Sequence, residues 1–362
     1  MARPTTTDKL LAGAVHGRGA TLNPAGRFEK ARTELFDDGW QTLGTPLPPL
    51  PTRVTDERAR SILSYNDSPD LDFDRTINPY RGCEHGCIYC YARPSHGYLG
   101  YSAGLDFETQ LLAKPDAAAL LDAELRKRNY QPALVLVGAN TDCYQPVERE
   151  RGITRQVLQV LVNFRHPFAV ITKSALILRD LDLLREAARL GLVRVNITVT
   201  TLDLELARTL EPRAATPGRR LQTIAELAGA GVPVGVMVAP VIPGLNDHEL
   251  EAILQASAKA GAKQARWQFV RLPYEIKDLF GAWLQTHVPG RADRVWALLR
   301  DVRQGKANET EFGTRMTGVG IHAQLLQQRF DLAVRRLGLD TPLPPPDASQ
   351  FRLPPRPGEL PF

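Results

Sequence analysis

Short apolar runs alternate with amphipathic stretches between residues 71 and 270, and this alternation limits the fold more than any other feature. The runs at 133–137, 168–172 and 234–239 are continuous and apolar, as strands buried on both faces of a parallel sheet are. Those at 71–77, 193–199 and 265–270 carry β-type patterns, with β-branched residues and period-two alternation in the first two. Between them, 116–128, 154–163, 176–190, 217–230 and 247–260 read as helices. Gly191 and Gly231 follow two of these where C-terminal capping glycines belong, and Asn246 or Asp247 opens the last. About six βα repeats in succession imply an α/β fold with a parallel sheet and right-handed crossovers. The count suits an open, partial (β/α)6 barrel spanning 69–272. No internal sequence repeat is present.

Three of the four cysteines fall within eight residues, as Cys83-x3-Cys87-x2-Cys90, directly after the first strand. Such clustering favours metal ligation in a reducing compartment over a disulfide framework. Three soft thiolates on one short loop can each hold one iron of a [4Fe–4S] cube, leaving the fourth iron open. A structural zinc site wants four ligands, usually as two distant knuckles, and there is no second knuckle. His85 and His96 keep the zinc reading alive as sources of a fourth ligand. Gly82 and Gly86 allow the loop to fold tightly.

The loop resembles the signature of the radical S-adenosylmethionine (SAM) superfamily, and NPYRGCEHGCIYCYAR is similar to the branch that includes spore photoproduct lyase, a DNA repair enzyme. TDCYQPVE, TLEPRAATPGRRL and FGTRMTGVG resemble bacterial proteins grouped with it. The resemblance implies a cluster ligated by Cys83, Cys87 and Cys90, and SAM bound to its open iron and cleaved to a 5′-deoxyadenosyl radical. It also implies an electron donor such as flavodoxin or ferredoxin. Asn140, Thr141 and Asp142, after the second strand, would face the SAM amino group; the usual Gly-Gly-Glu form is absent, and these residues also favour plain turns. Lys173, directly after the third strand, would meet the SAM carboxylate or simply snorkel at the rim. Asn196, Thr198 and Thr200 share one face of the fourth strand, as a ribose contact or as solvent-facing residues. Tyr89 and the turn beginning at Pro240 would flank adenine. Cys143 has three readings: a small buried hydrophobe, a hydrogen-atom donor to a substrate radical, or a further ligand or redox thiol. Tyr91 would extend a radical relay or only pack. Arg213 has Glu211 as a neighbour of opposite charge.

Residues 1–68 are loop-rich and read as an arm around the core, 273–340 as a helical extension, and 341–362 as a disordered proline-rich tail. No signal peptide and no run long enough for a membrane span is evident, so a cytoplasmic protein is expected. The formal charge of +5 permits a nucleic-acid partner without requiring one. Three functions compete: a radical SAM enzyme abstracting hydrogen from a substrate such as a damaged or modified nucleotide, radical modification of a peptide or tRNA, and a metal-stabilised nucleic-acid-binding protein.

Overall fold

The computed structural model describes residues 15–28, 50–343 and 345–355. Among the described residues ten strands form two sheets: β1 (Arg53–Asp56), β2 (Leu63–Tyr65), β3 (Arg75–Ile77), β4 (Tyr80–Arg81), β5 (Gln110–Ala113), β6 (Val135–Val137), β7 (Phe168–Thr172), β8 (Val193–Thr198), β9 (Val234–Val241) and β10 (Gln264–Phe269). The larger sheet runs β10-β9-β8-β7-β6-β3-β2. Its first six members are parallel, and β2 is antiparallel on β3. The six expected βα strands are these six. The sheet does not close on itself, so the partial barrel is confirmed. The outer edge of β10 is partly covered, since Leu339 accepts from the Ala265 amide and Asp340 bridges Gln264. Such cover blunts an edge that would otherwise invite pairing.

Helices Ala117–Leu125, Ile153–Asn163, Leu181–Arg189, Pro217–Gly229 and Leu250–Lys259 pack on the sheet. Their apolar stripes and the buried strands make one large core, in which Val135, Val170, Val195 and Val236 have no exposed surface. Two expected helices begin instead as tight 3-10 turns, Ala175–Asp180 and Asp247–Glu249. Beyond β10 the chain forms the helices Ile276–His287, Pro289–Asp301 and Gly320–Leu337. Trp283 is fully buried, and its indole Nε1 donates to the Thr209 carbonyl at 3.0 Å. This extension therefore supports the segment that leads into Glu211, beneath the cysteine loop.

A second sheet of three short strands, β1-β5-β4, was not evident in the sequence. Strands of two to four residues show too little alternation to be seen. It matters because β4 runs directly into Gly82 and Cys83.

The tail differs from the disordered end that composition implied. Its residues 345–355 lie on the core, with the Phe351 ring against Tyr130, Phe164 and His166. Arg126 donates to the Pro354 carbonyl and Gln350 to that of Leu190. One aromatic side chain with a waiting apolar socket outweighs the proline content around it. Residues 356–362, and the parts of the arm at 1–14 and 29–49, lie outside the described residues.

Candidate active site

The inner faces and C-terminal ends of the six parallel strands line a cavity of about 520 Å³. Cys83, Cys87 and Cys90 line it together with Lys173, Asn196, Thr198 and Pro240. This is where a parallel α/β sheet gathers its functional groups.

The cysteine loop is held from below by a buried ion pair. Arg93 has no exposed surface and donates five hydrogen bonds, to the carbonyls of Gly86, Cys87, Ala103 and Gly104 and to Glu108 Oε1 at 2.5 Å. Glu108, also fully buried, accepts from the amides of Gly19 and Ala20 in the arm. Arg18 adds a bond to the Glu108 carbonyl. Residues 18–20 of the arm thus pack against the loop and its buried pair. A side chain at Gly19 would lie 1.8 Å from the Gly86 carbonyl oxygen, so only glycine allows that approach. Gly82 and Gly86 have φ of +77° and +67°. A Cβ at Gly86 would sit 2.8 Å from Glu108 Oε2, so the loop's fold and its buried pair depend on each other.

Cys83 and Cys87 are buried and Cys90 half-buried. Burial pushes the Cys83 thiol well up, with the nearby Asp142 carboxylate adding to it. Burial likewise pushes Cys87 up to about 12, against the pull of Lys173. Among the described residues no three His, Cys, Asp or Glu side chains converge on one point, as ligands of a single ion would. The donor set fits a cube, in which each thiolate holds its own iron. Of the two histidines that could complete a zinc site, His85 lines the cavity, whereas His96 is fully buried and is not among the residues lining it. His85 Nδ1 lies 3.3 Å from Asp142, and His96 Nε2 lies 2.8 Å from the Gln110 carbonyl.

A second buried network stands behind Tyr89. The Tyr89 hydroxyl donates to Glu211, which also accepts from Thr200 and pairs with Arg220. Burial alone would raise the Glu211 carboxyl, but Arg220 and Lys173 hold it down to about 2. Lys173 Nζ lies 5.7 Å from the centre of the Tyr89 ring. Arg213 does not pair with Glu211; it reaches Glu84 at 2.9 Å, and Glu211 takes the buried Arg220 instead. Neither Arg93–Glu108 nor Arg220–Glu211 was foreseen, because no periodic signal marks pairs 15 or 9 residues apart.

The strand-end residues divide by task. Asp142 accepts from Thr172 Oγ1 at 2.6 Å and from the Lys173 amide at 2.8 Å. Burial opposes its charge, but His85 and these donors hold its carboxyl well below the usual range. Thr141 donates to the Gly82 carbonyl, tying the second strand's end to the cysteine loop. Asn140 is exposed to the cavity, its amide nitrogen fixed by Asn78. Asn196 and Thr198 line the cavity, whereas Thr200 turns to Glu211 and the Ala239 carbonyl. The turn after β9 is locked by Asn246, which donates to the carbonyls of Thr200 and Pro240.

Tyr91 is 42% exposed, lines the cavity and donates to the Ala139 carbonyl. Cys143 stands apart from the other residues singled out by sequence. It has no exposed surface, belongs to the apolar core and points Sγ at the Val137 carbonyl, 4.0 Å away. It is not among the residues lining the cavity.

Comparison with known proteins accords with this geometry. The radical SAM superfamily profile matches residues 77–256. An uncharacterised protein of Mycobacterium tuberculosis is 38% identical over 232 residues, covering 64% of this chain and 68% of its own. A protein named as a radical SAM Nalpha-GlyT isomerase, from Pseudomonas phage M6, is 24% identical over 198 residues, covering 54% of this chain and 39% of its own. Among solved structures, spore photoproduct lyase complexed with dinucleoside spore photoproduct superposes with a TM-score of 0.57 at 16% identity. That match covers 78% of this chain and 79% of the other, and shows a shared fold.

Proposed function

The chain belongs to the radical SAM superfamily, and from that premise we propose that this enzyme abstracts a hydrogen atom from a nucleotide-containing substrate, using a [4Fe–4S] cluster on Cys83, Cys87 and Cys90. The observation that carries the reading is the placement of three thiols, on a loop fixed by two glycines and a buried ion pair, at the ends of six parallel strands. When bound, the cluster and SAM supply a 5′-deoxyadenosyl radical on receipt of one electron, from a donor such as flavodoxin or ferredoxin.

The chain's own residues bind and orient. Lys173 offers its ammonium to the SAM carboxylate. Asn140 offers its side-chain amide to the SAM amino group, while Thr141 and Asp142, already committed to Gly82, His85 and Thr172, hold the strand end in place. The Tyr89 ring and the Pro240 turn enclose adenine, and Asn196 and Thr198 meet the ribose. Tyr91 forms the wall between cofactor and substrate. The burial of Cys143 supports the packing role over hydrogen-atom donation, because a donor thiol must reach the substrate radical. A nucleotide substrate is supported by the cavity lining, which combines Arg194, Arg266, Arg271 and Arg315 with the aromatic rings of Tyr65, Tyr91 and Trp267.

The test is anaerobic reconstitution with iron and sulfide. The wild-type protein should take up about four irons per chain with visible thiolate-to-iron absorption. Cys83→Ala, Cys87→Ala and Cys90→Ala should each lose that absorption while retaining the secondary structure seen by circular dichroism. A full iron load in any of the three would remove the ligand assignment, and a colourless zinc protein would remove the reading.

A further inference from the structure

We propose that Arg271 anchors a backbone phosphate of the substrate across the ring of Tyr91, making it a substrate-positioning residue; this rests on the nucleotide reading above. Arg271 lies two residues past β10, beyond the C-terminal end of the last parallel strand, and lines the cavity. Its guanidinium carbon lies 5.7 Å from the centre of the Tyr91 ring. Its Nε is buried and has no hydrogen-bond partner. Among the described residues no carboxylate stands within ion-pair distance of it. An arginine in that state offers its planar fork to a ligand oxyanion.

The other arginines that line the cavity are already committed. Arg194 and Arg266 both bond Asp72 Oδ2, at 2.6 and 2.9 Å. Arg315 bonds Asp70 at 2.5 Å and Ser68 at 2.6 Å. Asp70 and Asp72 thus take up three of the four arginines that line the cavity, and the unpaired charge of Arg271 is left to attract an anion. Burial and the neighbouring Arg315 also lower the Arg271 pKa, an effect that a bound anion would oppose. Lys173, over Tyr89, and Arg271, over Tyr91, stand on the two residues that flank Cys90. The first is placed for the SAM carboxylate and the second for an anion beyond it. Phosphate is favoured over a peptide carboxylate because aromatic faces border the site, and bases stack on such faces while their phosphates meet arginine.

The experiment measures binding of a short fluorescein-labelled single-stranded oligonucleotide to reconstituted full-length protein by anisotropy, with SAM present. Comparators are the same sequence with an uncharged methylphosphonate backbone, a labelled acidic peptide, and inorganic phosphate as competitor. Arg271→Gln should weaken binding of the charged oligonucleotide at least about tenfold, as expected for removing a charge-assisted hydrogen bond. It should leave the methylphosphonate affinity unchanged and flatten the log–log salt dependence by about 0.7 for each phosphate no longer neutralised. Arg271→Lys should fall between, keeping the charge but not the fork, and guards against a folding defect in the first variant. Competition by inorganic phosphate at millimolar levels would show that a lone phosphate fills the seat; its failure to compete, with oligonucleotide binding intact, would show that the flanking nucleotide is needed. Both support the proposal. Equal oligonucleotide binding by wild type and Arg271→Gln would overturn it. So would an equal loss of SAM affinity, which would assign Arg271 to the cofactor, or Arg271-dependent binding of the acidic peptide alone. Arg271-dependent oligonucleotide binding by a protein that never cleaves SAM would leave this proposal standing and sink the radical reading instead.

Discussion

Removing the Arg93 guanidinium should both destabilise the protein and empty the cysteine loop of iron. The side chain is fully buried, and in Arg93→Met five hydrogen bonds disappear together. Four loop carbonyls lose a donor, and Glu108 is left charged and buried with only the Gly19 and Ala20 amides. Breaking a buried pair by truncating one partner costs about 3–5 kcal/mol, most of it the stranded charge. The stranded carbonyls push the value toward the upper end. Urea unfolding of the protein without iron should register this loss. Glu108→Gln strands Arg93 in turn, yet the double variant should cost at least about 1 kcal/mol less than the sum, since neither charge then remains alone. Iron uptake on reconstitution should fall in both single variants, because the carbonyls that set the positions of Cys87 and its neighbours are no longer fixed. A loss below about 1 kcal/mol in Arg93→Met, or strictly additive singles, would refute the view that this pair holds the loop.

Three further outcomes follow from the site. Lys173→Ala should weaken SAM binding by about 2–5 kcal/mol, the range for truncating one partner of a buried charge pair, and an unchanged dissociation constant would count against its role. Cys143→Ala should cost about 1 kcal/mol of stability and leave iron content and product distribution intact; altered products would restore the donor reading. His166, held neutral by burial with its pKa down to about 4, should make stability fall as pH drops from about 6.5 toward 4, because the unfolded chain takes up a proton there that the folded chain refuses. The cost reaches about 3 kcal/mol at the acid end, and His166→Gln should flatten that slope relative to wild type.

What could be read from sequence was whatever repeats or clusters. Each buried parallel strand announces itself because both its faces must be apolar, so 168–172 was located to the residue. The cysteine loop was legible because three thiols within eight residues make a distinctive spacing. The positions of Lys173, Asn196 and Thr198 on the cavity followed from the rule that strand ends bear the site. The scaffold beneath was not legible. Glu108 reads as one more acidic residue near a helix start, yet it ties the arm to the cysteine loop. Arg213 and Glu211 are neighbours in the chain but take other partners, since Glu211 is buried against Arg220 while Arg213 stays part-exposed beside Glu84. Cys143 took the first of its three readings, a small buried hydrophobe. Its position after a strand is shared with cavity residues, but the turn at Gly138, with φ of +93°, carries it back over Val137 and into the core. Among the described residues no helix is long and apolar enough to cross a membrane.

The central claim is that the cavity binds SAM against a cluster held by three cysteines and cleaves it reductively. The most direct measurement is the appearance of 5′-deoxyadenosine and methionine when reconstituted, reduced protein is mixed with SAM under anaerobic conditions, beside the Cys83→Ala protein treated identically. The account predicts 5′-deoxyadenosine from the wild type and none from the variant. A wild-type protein carrying its full iron complement, reduced and with SAM bound, that yields no 5′-deoxyadenosine with or without oligonucleotide present would contradict it.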